Sequence, residues 1–129
     1  LRPGGRLLLE ETAALSSPVP ALSQYYGLLE QLQAHHRQET LIGKRLGALA
    51  AGIAGARATS LLQEIPVAAA VMARLHAMNL ATWKADPFTL ETHGPRLLEA
   101  LEGELQAIAG RPDLPEGRCV MTQVCIERI

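Results

Sequence analysis

Hydrophobic and polar positions along the chain follow two periodicities, and each predicts a set of elements. A turn at residues 3–5 leads into the apolar run of residues 6–10, which is typical of a buried, parallel strand. Aliphatic and β-branched residues at 56–67 favour a second strand, and Pro66 assigns it to a sheet edge or marks its end. β-branched residues alternate with other types at 120–126 and predict a final strand.

Between the first two strands, apolar residues recur at steps of three and four, which is the spacing of an amphipathic helix. One such pattern covers residues 21–39. A shorter pattern covers residues 43–51 and is ended by the glycines that follow it. We therefore expect two helices in this part of the chain.

Two more helices are predicted between the second and third strands. The first spans residues 69–85, and the Asp-Pro pair at 86–87 ends it. Its large apolar residues form one stripe, which consists of Val71, Leu75 and Met78. Thr92 or His93 is expected to cap the next helix, which runs to Gly110. Three strands alternating with about four helices indicate an α/β layer architecture.

Composition narrows the class of protein. The chain has 129 residues, of which 48% are hydrophobic, so it is long and apolar enough for one domain with a core. Its 12 Lys and Arg residues face 13 Asp and Glu residues, and this balance argues against nucleic acid as a partner. No apolar run approaches the roughly 18 residues that span a bilayer, and no signal peptide is recognisable. We expect a soluble, cytoplasmic protein without membrane contact.

Two cysteines, Cys119 and Cys125, are six residues apart in the last predicted strand. Their spacing fits neither a zinc knuckle nor a redox pair. A disulfide between them is geometrically poor, because about 20 Å of extended strand separates their Cα atoms. Free thiols in a reducing compartment are the expected state.

The chain starts with LRPGGRLLLEE, a turn followed by an apolar run. This segment resembles the turn and fifth strand of S-adenosylmethionine-dependent methyltransferases of the Rossmann-like class, and three later segments resemble the carboxy-terminal remainder of that family. Its next helix, glycine turn and sixth strand resemble LIGKRLGALAAGIAGARATSLLQEI, although Ile53 stands where an aromatic residue or Leu is usual. The lid insertion and last helix of its small-molecule subgroup resemble MNLATWKADPFTLETHGPRLLEALEGELQAIAG, and its seventh strand resembles GRCVMTQVCIERI.

This resemblance implies a partial Rossmann-like fold: a three-stranded sheet edge whose last strand lies antiparallel in the middle. Residues 1–129 would form the carboxy-terminal portion of a single methyltransferase domain, with lid helices that bind the methyl acceptor at about 21–51 and 69–91. The first strand would keep one unpaired side, so the isolated chain is expected to aggregate or to bind a partner. That partner would be the missing amino-terminal half or a second copy of the chain. The chain begins at Leu1, within a turn, which suggests a processed, truncated or incomplete start.

The family grips S-adenosylmethionine with a glycine-rich loop after its first strand and an acidic residue at the end of its second. The chain contains no such loop or acidic partner. We therefore expect no cofactor-binding residues here, no metal, and no methyl transfer by the chain alone. Its catalytic residues, if it has any, are not indicated.

Candidate acceptor-binding residues follow from position. Ligands of open α/β sheets lie beyond the carboxyl ends of the strands, which selects Glu10, Glu11 and Thr12, although these can equally cap loop backbone. On the predicted lid helices the candidates are Tyr25, Tyr26, His36 and Trp83, where an apolar stripe is more often core. His76 is expected at the surface and His93 beside a helix cap.

A second possible cluster consists of adjacent histidines and an acidic residue at the end of the first helix. His35 and Glu39 are four residues apart, so they share a helix face that offers half of a metal site or a base. A solvated helix face is the commoner explanation of such a cluster.

The function implied by the resemblance is the acceptor side of a methyltransferase that acts on a small organic molecule. One alternative is a non-catalytic α/β interaction module that pairs through its open sheet edge. A helical ligand-binding domain is the third, but it requires the strands predicted at both ends of the chain to be wrong.

Overall fold

The structure, a computed structural model, describes residues 1–39 and 41–129. It is an α/β protein with three strands and five helices within these ranges. The elements in chain order are β1 (Arg6–Ser16), α1 (Pro20–His35), α2 (Gly43–Ala51), β2 (Ala56–Val67), α3 (Ala69–Trp83), α4 (Pro87–His93), α5 (Pro95–Ala109) and β3 (Gly117–Arg128). The predicted bounds of α2 and β2 are confirmed.

The three strands form one antiparallel sheet in the order β1-β3-β2. Side-chain contacts between β1 and β3 show their antiparallel register. As the residue number rises along β1, the number of the contacting residue on β3 falls. The pairs are Arg6 with Glu127, Glu10 with Gln123, and Thr12 with Met121. The last strand therefore lies between the first two, as predicted.

The chain divides into two compact units. We call Leu1–Leu15, Glu39–Ile65 and Arg118–Ile129 the sheet unit, and Ser16–Gln38 and Pro66–Gly117 the helical unit.

Helix α2 packs on one face of the sheet in the sheet unit. The buried core there consists of Leu46, Ala50, Val124 and Ile126, with Leu9, Ala56 and Ala58 packed against it. Gly43 allows the close approach of helix and strand, because a Cβ at this position would lie 2.6 Å from the Glu11 and Thr12 backbone. The Thr122 hydroxyl donates a hydrogen bond of 2.7 Å to the Gly43 carbonyl and secures the start of the helix.

The core of the helical unit is formed by α1, α3 and α5. α3 packs most extensively on α5. Small side chains recur on the buried face of α3 at Ala69, Ala73 and Ala77, which lets a neighbouring helix approach closely. The buried residues of α5 are Leu98, Leu101, Leu105 and Ile108.

The apolar stripe predicted on α3 lies outside the core. Val71, Leu75 and Met78 are 55%, 55% and 67% exposed, whereas Met72, His76 and Leu80 are buried with the alanines. The large apolar residues suggested the opposite face. The face that packs in the structure is instead the one with small side chains. His76, expected at the surface, is only 5% exposed.

The segment between α3 and α5 also differs from the expectation. α3 already ends at Trp83, and residues 86–87 begin a further helix, because the Asp86 carboxylate accepts a hydrogen bond of 3.1 Å from the Thr89 backbone N–H. Thr92 and His93 are the last residues of α4 and do not cap α5. Gly94, at φ 78°, separates the two helices in a conformation that glycine adopts without strain.

Strand β1 is longer and more exposed than predicted. It continues to Ser16, and Leu8 is 77% exposed, so the expectation of a buried strand is wrong for the described residues. The reason is that β1 is an edge strand, paired on one side only, with antiparallel β3. β2 occupies the other edge, as predicted from Pro66.

Helix α1 ends at His35, four residues earlier than the pattern suggested. None of the helices in the described ranges combines the length and apolar character that crossing a membrane requires.

Candidate functional site

A cluster of polar aromatic side chains lies within the helical unit. Tyr25 and Tyr26 come from α1, and His76 and Trp83 come from α3; we call these four residues the aromatic cluster. The Tyr25 ring stacks on the His76 imidazole with 4.4 Å between ring centroids, and it lies 5.7 Å from the Trp83 ring. The Tyr26 ring meets both Tyr25 and His76 edge to face. Three of the candidates predicted from the sequence are thus brought together.

Helical spacing explains why Tyr25 and His76 both lie on the buried faces of their helices. Tyr25 lies three residues after Leu22 and three before Leu28, and all three are buried on one face of α1. His76 lies four residues from both Met72 and Leu80 on the buried face of α3. His76 was not among the predicted candidates, although its spacing from Met72 and Leu80 indicates a buried position.

One hydrogen bond orients the imidazole of His76. The Tyr26 hydroxyl and His76 Nε2 are 2.8 Å apart. Burial lowers the pKa of His76 from 6.5 to about 4, so the ring is neutral near pH 7. A neutral imidazole has one N–H and one acceptor nitrogen. If Nε2 accepts from the Tyr26 hydroxyl, Nδ1 carries the N–H, and if Nε2 donates, Nδ1 is the acceptor.

Three polar atoms of the aromatic cluster are buried without a hydrogen-bond partner among the described residues. They are Tyr25 Oη, His76 Nδ1 and Trp83 Nε1. Burial also raises the pKa of Tyr25 above its ordinary value. Trp83 and Asn79 lie near the Tyr25 hydroxyl and offset part of that rise, but neither meets hydrogen-bond geometry with it. Native proteins leave few such atoms unpaired, so three in one cluster mark it as a candidate binding site.

The fourth candidate of the helical unit, His36, lies elsewhere. Its Nε2 is 2.8 Å from the Asp86 carboxylate, while the neighbouring His35 ring stacks on Phe88 at 3.9 Å. Burial raises the pKa of Asp86, but the hydrogen bonds from His36 and from Thr89 outweigh burial, and the net shift is downward. These contacts join the end of α1 to the start of α4, which is a structural role.

The possible metal half-site of His35 and Glu39 gains no support from the contacts of either residue. Glu39 accepts a hydrogen bond of 3.0 Å from Arg45. Nowhere in residues 1–39 and 41–129 do three or more His, Cys, Asp or Glu side chains form a group that could hold a metal ion.

The three candidates of the sheet unit lie in the middle of β1, because the strand continues to Ser16. Their expected place at its carboxyl end is therefore wrong. Glu10 accepts a hydrogen bond of 2.6 Å from Gln123, and the Thr12 hydroxyl donates to Met121 Sδ at 3.5 Å. Glu11 is exposed. Their role in binding an acceptor stays a prediction.

A small concavity of about 170 Å³ lies elsewhere in the helical unit. It is lined by Lys84, Ala85, Leu90, Pro95, Leu98 and Glu99. Lys84 pairs with Glu102 at 2.5 Å, so its charge is already neutralised. None of the predicted candidates lines this concavity.

Cys119 and Cys125 are free thiols, both half-buried on β3.

Comparison with protein-family models and with the sequences of curated proteins gave no match.

Proposed function

We propose that the chain is the acceptor-side part of an S-adenosylmethionine-dependent methyltransferase of the Rossmann-like class that acts on a small organic molecule. The observation that carries this proposal is the position of β3, antiparallel between β1 and β2. The motif resemblance implies this order for the last three strands of the family.

The strand order is informative because it is not the simplest one available. Strands that follow one another in a chain are most often neighbours in the sheet. Here β1 and β2 are separated by the last strand, which returns from 50 residues later to pair with both. A general α/β fold does not require this insertion, so its agreement with the resemblance supports the proposal.

The helices that would bind the acceptor also support it. The aromatic cluster is built from α1 and α3, which lie in the two segments that the resemblance assigns to the lid. Ring faces together with a few polar atoms are the usual lining of a small-molecule site. The acceptor-side role therefore belongs to the helical unit.

In this proposal the cofactor, S-adenosylmethionine, is held by residues of the parent protein outside this chain. Those residues would form the partner for the open side of β1. Cytoplasm is the proposed compartment, and the free thiols at Cys119 and Cys125 are compatible with it.

Two linked titrations test the proposal. Isothermal titration of the 129-residue chain with S-adenosylmethionine should give no saturable heat, and the protein encoded by the complete reading frame should bind one equivalent. Tight one-to-one binding by the chain alone would overturn the assignment of the cofactor grip to another segment. The complete protein should then transfer a labelled methyl group to small acceptors. An upstream sequence without a glycine-rich strand-turn-helix and a following acidic residue would overturn the methyltransferase itself.

The exposed side chains of the edge strands favour one second candidate, an interaction module without catalysis. Leu8 on β1 is 77% exposed, and Leu61 and Leu62 on β2 are 61% and 66% exposed. Apolar edge strands pair readily with other chains. A start codon directly before Leu1 would favour this candidate over the methyltransferase.

A further inference from the structure

The aromatic cluster combines burial with unmet hydrogen-bonding capacity. Tyr25 is 0% exposed and His76 is 5% exposed, yet each has a polar atom without a partner in the described part of the chain. Trp83 Nε1 is a third atom of this kind. An arrangement of this kind is stabilised when a bound molecule supplies the missing partners.

The chemical types of these atoms select the occupant. The indole N–H of Trp83 can only donate, and the Tyr25 hydroxyl can donate or accept. His76 Nδ1 does one or the other, depending on the tautomer that Tyr26 fixes. The cluster therefore has one group that can only donate and none that can only accept. This combination suits an oxygen with free lone pairs, as in a hydroxyl or carbonyl group.

Charge narrows the class further. Burial keeps the His76 imidazole neutral near pH 7 by lowering its pKa to about 4, and it raises the pKa of the Tyr25 hydroxyl. Lys84, the next residue after the cluster on α3, already pairs with Glu102. The Lys84 ammonium is therefore not available to an anion, and a cation would face the donating N–H of Trp83.

The rings define the shape of the occupant. Tyr25 and His76 are stacked face to face, with 20° between their planes, so each ring offers a flat aromatic surface to an occupant only where the two rings separate. Flat rings bind well against such surfaces by offset stacking. The rings of the cluster lie in contact, so an occupant has to separate α1 from α3. α1 can move without breaking the main interface of the unit, because α3 packs chiefly on α5.

We infer that the aromatic cluster is a binding site for a neutral, planar ring that carries a hydroxyl or carbonyl oxygen, and that this is the methyl acceptor class. The second half of this inference rests on the proposed function. The first half, recognition of the ring, does not depend on any cofactor.

Phenol is the test probe, and toluene, benzoate and benzylammonium are its comparators. Each is titrated into the 129-residue chain near pH 7, with emission from Trp83 as the readout, because this is the only tryptophan of the chain. Phenol should bind about tenfold more tightly than toluene, which has the same ring without the oxygen. Both ions should bind more weakly than phenol.

Two variants locate the binding site. Tyr25→Phe removes one unpartnered hydroxyl and keeps the ring, so it should reduce the preference for phenol over toluene by about 3- to 10-fold. Met78→Leu alters an exposed residue of the same helix α3 and should leave the preference unchanged. If Tyr25→Phe fails to fold, as judged by circular dichroism, the phenol and toluene comparison on the unaltered chain decides the question.

The inference is overturned if toluene binds as tightly as phenol, if either ion binds most tightly, or if no probe gives a saturable change. An unchanged preference in folded Tyr25→Phe also overturns it. These outcomes are separate from those of the proposed function. Phenol can bind here in a protein that never transfers a methyl group, and a working methyltransferase can fail to prefer phenol at this site.

Discussion

Replacing His76 by Gln should make the stability of the protein less dependent on pH. His76 lies buried between α1 and α3, stacked on Tyr25 and bonded to Tyr26. Burial lowers its pKa from 6.5 to about 4, so the folded protein disfavours the imidazolium. Between these two values the unfolded chain binds the extra proton and the folded chain does not.

The sign and size of the effect follow from this difference. Stability is complete above about pH 6.5 and is lost as the pH falls toward 4, because protonation then favours the unfolded chain. The full difference amounts to roughly 3 kcal/mol, and about 2.5 kcal/mol of it is lost by pH 4.5. Below about pH 4 the contribution changes no further.

Urea unfolding, followed by circular dichroism and by Trp83 emission, measures the free energy of unfolding at about pH 7.5 and about pH 4.5. Carboxylates also titrate in this range, so the useful quantity is the difference between proteins. His76→Gln should lose about 2.5 kcal/mol less than the unaltered chain over this interval. His93→Gln, a change at a half-buried histidine of α4, is the matched control and should follow the unaltered chain.

Equal pH dependence in His76→Gln and in the unaltered chain, to within about 0.5 kcal/mol, would contradict the argument. It would mean that His76 ionises in the folded protein as readily as in the unfolded chain, either because water reaches it or because α1 moves away. The neutral site inferred above would lose its basis as well.

Two further substitutions, one in each unit and each with a control variant, test packing by urea unfolding. Gly43→Ala would place a Cβ 2.6 Å from the β1 backbone and should destabilise the sheet unit by about 1–3 kcal/mol. Gly27→Ala in α1 meets nothing within 4 Å and should instead stabilise by about 0.5–1 kcal/mol; equal effects of the two changes would refute the close contact. Leu105→Ala removes a fully buried side chain of α5 and should cost about 2–5 kcal/mol, against less than about 1 kcal/mol for half-exposed Leu97→Ala.

The aromatic cluster shows how much of a candidate site can be predicted from the sequence. Tyr25, Tyr26 and Trp83 were selected as candidates, because they are polar-tipped rings on predicted lid helices. That they meet was not predictable, since the meeting depends on how α1 packs on α3. His76 was assigned to the surface, whereas it is buried on the face of α3 opposite to Val71, Leu75 and Met78.

The local amino-acid sequence determined the type and bounds of several elements of this protein. Helical spacing and the glycines that follow it predicted α2, and aliphatic and β-branched residues predicted β2, both with the bounds that the structure shows. Short-range sterics and residue type decide such elements. The insertion of β3 between β1 and β2, implied by the resemblance, also agrees with the sheet. Tertiary structure alone decided burial: which face of α3 is covered, how much of β1 is exposed, and which polar atoms meet. These depend on contacts between residues far apart in the chain, and periodicity along one element carries no information about its partner.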